Sequence, residues 1–209
     1  MIHDMTDTTI TLAITGASGA IYGLRLLEQL LIAKQTVYLM ISTPAHIVID
    51  METGLKLPAD LNQIQTILTD WFQVTAGQLR ILGLEEWTSP VASGSAVSKA
   101  MVICPCSMGT LAAIATGLNR SLIERAADVI LKEQRKLIVV PRESPFSTIH
   151  LENMLRLSKL GTVILPASPG FYHNPKNINE LVDFIVARIL DHLAIKHTLL
   201  PRWGLQFDE

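Results

Sequence analysis

The chain has 209 residues, 49% of them hydrophobic and 17% charged, with a formal net charge of −2. That length makes one ordinary domain with a sizeable core. The near-neutral charge gives no reason to expect a nucleic-acid partner, and with no uninterrupted apolar run of about 20 residues no membrane span is expected. A mean hydropathy of +0.35 is instead expected to hide surface in a homo-oligomer.

Residues 1–9, MIHDMTDTT, are polar and acidic and lack the basic flank and apolar core of a secretion signal. They are expected to form a flexible N-terminal segment of a cytoplasmic protein. From Ile10 an apolar β-type run reaches Thr15, turns through Gly16-Ala17-Ser18-Gly19 and enters a helical pattern of Ile21, Leu24, Leu27, Leu30 and Leu31. A strand, a glycine turn and a helix start can aim backbone N–H groups at a phosphate. The spacing G-x-x-G-x-x-x-G is not the dinucleotide fingerprint, and such a turn also occurs with no ligand. The next strand, Thr36 to Ile41, ends in Ser42, where a dinucleotide site wants an acid for the ribose. A mononucleotide phosphate fits better than NAD.

Pro44 opens a helix through Ile47, Val48 and Met51, and a second helix follows Asp60 with Ile64, Ile67, Leu68 and Trp71 on its apolar stripe. A short strand spans Leu79 to Leu82. The stretch from Trp87 to Ser95 is a long loop of small residues, a kind that is functional or disordered inside compact domains. Met101 to Ile103 reads as a central strand that ends at the turn Cys104-Pro105-Cys106-Ser107-Met108-Gly109-Thr110, which enters a helix of Leu111, Ile114 and Ala115. The two cysteines are poorly placed to pair with each other, and a reducing compartment suits them.

Ser121 and Glu124 form a capping-box pattern for a helix expected to reach about Lys136. Leu137 to Val140 is a further strand, followed by the loop Arg142-Glu143-Ser144-Pro145-Phe146. A helix with Met154, Leu155 and Leu157 stops at Gly161. Thr162 to Leu165 is the last strand, Pro166 to Pro175 a proline-stiffened loop, and Ile178 to Ala194 the final helix. Strands alternate with helices, so the class is α/β, one Rossmann-like (flavodoxin-like) domain over residues 10–209 with helices on both faces of a parallel sheet and a C-terminal tail.

Ligands of open α/β sheets sit at the carboxyl ends of the strands. Those ends carry Gly16, Ala17, Ser18, Ser42, Ser107, Met108, Gly109, Thr110, Arg142, Glu143 and the Tyr172 loop. Small and hydroxyl residues suit a phosphate and a flat polar ring, and Arg142 offers a guanidinium fork. Glu143 has the chemistry of a general acid or base. Each has a plainer alternative. Ser18 and Ser42 are also ordinary helix caps, and Arg142 and Glu143 an exposed pair. Arg125 and Lys132, two turns apart on one helix face, are either a second phosphate site or a solvated face. Arg188 can simply snorkel to water, and Tyr172 and Trp203 can be core or interface aromatics. The six histidines are scattered without metal-ligand spacing, so no metal site is expected.

The segments ITGASGAIYGLRLL, PVASGSAVSKAMVICPCSMGTLAAIATG, LIERAADVILKE, VPRESPFSTIHLENM and PASPGFYHNP, with the terminal PRWG, resemble the UbiX/Pad1 family of flavin prenyltransferases from Ile10 to Trp203. The resemblance implies reduced FMN as a substrate, dimethylallyl monophosphate as prenyl donor, bonds made at N5 and C6 of the flavin, and a product used by a UbiD-type decarboxylase. It also implies metal independence and a cytosolic assembly, often a dodecamer, with sites between subunits. By the same resemblance Gly16, Ala17, Ser18, Ser42, Ser107, Met108, Gly109, Thr110 and Arg142 hold FMN, and Tyr172 and Arg188 bind the prenyl phosphate. Arg125, Lys132 and Glu143 lie near that phosphate, and Ser93, Trp87 and Trp203 line the flavin and prenyl tail. Glu143, relayed through Ser18 or the departing phosphate, is the expected proton carrier. Thr43-Pro44 departs from the Lys-Ala that relatives often carry there. The competing readings are an FMN-dependent decarboxylase, for which no histidine lies in the glycine turns, and a non-catalytic flavin carrier for a decarboxylase.

Overall fold

In a computed structural model that describes residues 8–201, six parallel strands form one sheet. They are β1 (Thr9–Ile14), β2 (Thr36–Ile41), β3 (Leu79–Ile81), β4 (Ala100–Cys106), β5 (Lys136–Pro141) and β6 (Val163–Ile164), in the order β3-β2-β1-β4-β5-β6. The connections run outward in both directions from the β1/β4 pair, which makes that pair the switch point of a doubly wound sheet. Every residue of β1 and of β4 is buried, as the unbroken apolar run of a central parallel strand requires.

The helices are α1 (Ala20–Ile32), α2 (Thr43–Thr53), α3 (Leu61–Phe72), α4 (Met108–Thr116), α5 (Leu122–Lys132), α6 (Thr148–Lys159) and α7 (Ile178–His192). Two apolar clusters sandwich the sheet. One contains Leu26, Leu27 and Leu30 of α1, Ile49 of α2, Ile64 and Leu68 of α3, and Val182, Ile185 and Ile189 of α7. The other contains Leu111 of α4, Ala126 and Ile130 of α5, and Met154 and Leu157 of α6. Each helix start has a local reason. The Asp60 carboxylate accepts from the Gln63 amide at 2.9 Å, and Asn177 accepts from that of Glu180 at 3.1 Å. The Ser121–Glu124 capping box is formed.

Several boundaries differ from expectation. β1 begins at Thr9, one residue inside the expected lead-in. α5 stops at Lys132, because Gln134 turns through a left-handed φ of 54° and Lys136 already pairs with Ala100. α7 ends at His192, with Ala194 at φ 56°. Trp71 shares the apolar spacing of α3 but is 61% exposed; the sheet ends at three-residue β3, which Ile64 and Leu68 already cover. Strand β4 continues through Cys104-Pro105-Cys106, where a turn was expected. Residues i and i+2 of a regular strand share a face, yet Cys104 joins one cluster and Cys106 the other. The register shift between Ile103 and Cys106 accounts for this. Both cysteines are free, and burial pushes both thiols up, so neither offers a ready thiolate.

Candidate functional site

The carboxyl ends of β1, β2 and β4 converge on a crevice of about 420 Å³ lined by Gly16, Ser42, Pro44, Ser107, Gly109 and Thr110, with Arg120 also in the lining. Backbone ties hold these ends together. Thr15, 1% exposed, donates its hydroxyl to the Pro105 carbonyl at 2.8 Å and accepts from the Ser107 amide at 2.8 Å. The Ser42 amide donates to the Ile14 carbonyl at 3.0 Å, and the Arg142 amide to that of Cys106 at 3.4 Å. Four strand ends therefore form one linked rim.

Gly16 has a steric reason: a Cβ there would stand 2.4 Å from Cβ of Pro44. The first turn departs from expectation in one respect. Both oxygens of Glu52 accept from the Gly19 amide, at 3.0 and 2.9 Å, and one also from the Ala20 amide at 2.8 Å. These first amides of α1 answer a carboxylate of the chain itself and are not open to a phosphate. Sequence reasoning missed Glu52; its only signal was an acid in the last turn of α2. Burial, with the neighbouring Cys104 and Glu52, raises the Tyr22 phenol in this turn above its ordinary value.

The start of α4 is the open one. Ser107 caps it, with its hydroxyl 3.3 Å from the Thr110 amide and 3.0 Å from the Thr110 hydroxyl. The Met108 and Gly109 amides have no intrahelical acceptor, and nothing lies within 4 Å of where a Gly109 Cβ would be. Two polar atoms around this rim are buried without a partner, the Ser42 hydroxyl and Nε of Arg142. Buried polar groups in native proteins are generally paired, so this donor set fits a polar, phosphate-bearing ligand such as FMN.

The remaining candidates fall into two groups. Arg125 of α5 donates through Nε to the Ala92 carbonyl at 3.1 Å and pairs with Asp128 at 2.9 Å. Lys132 pairs with Glu133, and Gly94 sits against both, its Cβ position 2.9 Å from Nζ of Lys132. The loop with Ser93, whose hydroxyl is 3.1 Å from that of Ser95, thus docks on the basic edge of α5. Its two 3₁₀ turns, Pro90–Ala92 and Gly94–Ala96, give order to the stretch expected only as a loop. The second group lies on α7. Arg188 pairs with Asp191 at 2.9 Å, and Tyr172 meets Phe184 edge-on at 5.8 Å. Tyr172 is 65% exposed and the Arg188 side chain 53% exposed. Helices α5 and α7 cover opposite faces of the sheet, so a single chain keeps the two groups apart. Glu143, next to Arg142 at the end of β5, is exposed, as is Trp87 in the loop after β3; Trp203 lies outside the described residues.

The Flavoprotein family model matches residues 2–190. Flavin prenyltransferase UbiX of Pseudomonas aeruginosa is 58% identical over 197 residues, covering 94% of each chain. The chain belongs to the UbiX family of flavin prenyltransferases. Among solved UbiX structures, AnUbiX (PadA1) in complex with FMN and dimethylallyl pyrophosphate matches with a TM-score of 0.83 at 37% identity, over 94% of this chain and 97% of that one. A dodecameric FMN-dependent UbiX-like decarboxylase from Escherichia coli O157:H7 gives 0.80 at 36% identity, over 93% and 98%. The rim described here lies at the switch point where this fold class binds ligands.

Proposed function

We propose that this chain is a metal-independent flavin prenyltransferase that joins the dimethylallyl group of dimethylallyl monophosphate to N5 and C6 of reduced FMN. FMN is here a substrate rather than a resident cofactor. The observation that carries the reading is the 58% identity to a UbiX flavin prenyltransferase across nearly the whole of both chains. The Ser42 hydroxyl and Nε of Arg142, buried without partners at the strand ends, support it from geometry.

Gly16, Ala17, Ser18, Ser42, Ser107, Met108, Gly109, Thr110 and Arg142 seat the flavin, whose reduced ring supplies the nucleophile. Breaking the allylic C–O bond builds negative charge on the departing phosphate. Arg125, Lys132, Arg188 and the Tyr172 hydroxyl stabilise that charge as fixed donors. Trp87 and Trp203 flank the prenyl fragment, where an aromatic face favours developing positive charge, and Ser93 borders it. Glu143, relayed through Ser18 or the released phosphate, carries the protons of ring closure: one goes to the alkene of the N5-bound prenyl group so that C6 can bond to it, and one leaves C6.

Since α5 and α7 lie on opposite sheet faces, the donor site is assembled between copies in a homo-oligomer. The exposed apolar side chains Ile149, Leu151 and Leu155 along α6 and Ile47 and Met51 on α2 suit burial against other copies, and a dodecamer is the state expected by analogy with the E. coli relative. No helix among the described residues is long and apolar enough to cross a membrane; we place the enzyme in the cytoplasm, handing its product to a UbiD-type decarboxylase.

Anaerobic incubation with FMN, a reductant and dimethylallyl monophosphate or diphosphate, followed by mass spectrometry of the released flavin, tests the reading. A flavin heavier by one prenyl unit supports it. Unchanged FMN with either donor overturns it, and CO₂ release from the purified protein would instead favour a decarboxylase.

A further inference from the structure

We infer that Arg120, on the loop between α4 and α5, is the cation that reads the phosphate of FMN. The inference rests on the flavin seat described above and adds to it a residue that sequence reasoning left out.

Arg120 is the one cationic residue lining the 420 Å³ crevice, which also carries Ser42, Ser107 and Thr110. The same crevice offers hydrogen-bond donors without formal charge: the partnerless Ser42 hydroxyl, the Thr110 hydroxyl and the first amides of α4. These suit phosphate oxygens, but a phosphomonoester near neutral pH carries close to two negative charges, which hydroxyls leave uncompensated. Thr43 and Pro44, also in the lining, bring no charge. Of the helix starts at the rim, α1 is closed by Glu52, whereas those of α2, with Ser42 and Thr43, and of α4, with Ser107 and Gly109, line the crevice together with Arg120. The phosphate therefore belongs between the starts of α2 and α4, beside Arg120, and the ring at the Arg142 end.

The local structure frees Arg120 for this role. Its natural rival for the guanidinium is Glu124, one turn along and in the same lining. One oxygen of that carboxylate, Oε2, is committed to the backbone amides of Arg120 and Ser121 as the α5 cap, and neither oxygen pairs with the Arg120 guanidinium. Among the described residues the Arg120 guanidinium makes no hydrogen bond or ion pair, while its backbone is pinned by the cap. A fixed root with a free, always charged, forked head is the arrangement that recognises phosphate bidentately.

The experiment compares the binding of FMN and of riboflavin, which lacks the phosphate, to the full-length protein and to Arg120→Ala, Arg120→Lys and Arg142→Ala. The wild type should prefer FMN. Arg120→Ala should cut the FMN-to-riboflavin affinity ratio by roughly tenfold or more, the worth of a charge-assisted contact, and leave riboflavin affinity within about twofold. Arg120→Lys should recover part of the ratio, and Arg142→Ala should weaken both ligands together. An unchanged ratio in Arg120→Ala, or a selective loss of FMN in Arg142→Ala instead, overturns the assignment while leaving the flavin seat intact. A wild type that binds FMN no better than riboflavin overturns it as well. A wild type that binds neither removes the flavin seat itself.

Discussion

Glu52, in the last turn of α2, grips the N-terminus of α1 with its carboxylate 2.9 Å from the Gly19 amide and 2.8 Å from the Ala20 amide. The positive end of a helix favours such an anion, and both amide-bearing residues are buried. The contact also fixes the turn that carries Ser18. Glu52→Ala should therefore cost about 1–3 kcal/mol, the usual penalty for stranded buried donors. Glu52→Gln, which keeps an acceptor but loses the charge, should cost less. Denaturant unfolding of both variants checks this; equal stability of Glu52→Ala and wild type would mean that water replaces the carboxylate without loss.

Thr15 joins the two strand ends that flank the switch point. Thr15→Val keeps the shape and removes the hydroxyl, leaving the Pro105 carbonyl and the Ser107 amide without the partner now 2.8 Å from each. A loss of about 1–3 kcal/mol is expected, together with weaker FMN binding, because Ser107 caps the open helix. Thr15→Ser should restore most of both. Thermal unfolding and a flavin titration of the two variants separate this role from simple packing.

The strand ends were readable in the chain because periodicity and glycine or serine turns are local signals. Thr36 to Ile41, Asp60 as a cap and the Ser121–Glu124 box stand where the pattern puts them. What pattern could not show is which distant groups meet. Glu52 reaches Gly19 across 33 residues, and no spacing rule links them. Arg120 looks like one more surface arginine until Glu124 is seen to be occupied by backbone. The cysteines show a further limit: a two-residue period puts both on one face, and only the irregular pairing of β4 with β5 separates them. The candidates on α5 and α7 were identifiable by resemblance, but their placement on opposite sheet faces is a property of topology.

Glu143 is exposed beside Arg142, and among the described residues its Oε1 accepts from the adjacent Ser144 amide at 3.2 Å and from no other group. A carboxylate so lightly engaged can turn toward a bound ligand. Glu143→Gln keeps the size and removes the base. Flavin alkylated at N5 but not closed at C6 should accumulate, detectable by mass and absorbance together. Normal formation of the four-ring product by this variant would reassign the proton to another group.

In the proposed reaction the leaving-group charge falls to the side chains of Arg125, Lys132 and Arg188. Excess EDTA should accordingly leave the rate of prenylation within about twofold of control, whereas strict dependence on added Mg²⁺ would transfer the role from these side chains to a metal.

The separation of α5 from α7 makes the most specific demand. If Arg125 and Arg188 serve one phosphate, they come from different copies of the chain. Arg125→Ala and Arg188→Ala should each lower turnover on the order of 100-fold, as loss of one transition-state donor does. Co-expression of the two variants then places some sites between an α5 with intact Arg125 and an α7 with intact Arg188. Those mixed assemblies should regain measurable activity that neither variant shows alone, and a tag on each variant allows their isolation. Mixed assemblies as inactive as the parents would place both arginines on the same chain at each site, which α5 and α7 on opposite faces of one sheet do not readily allow.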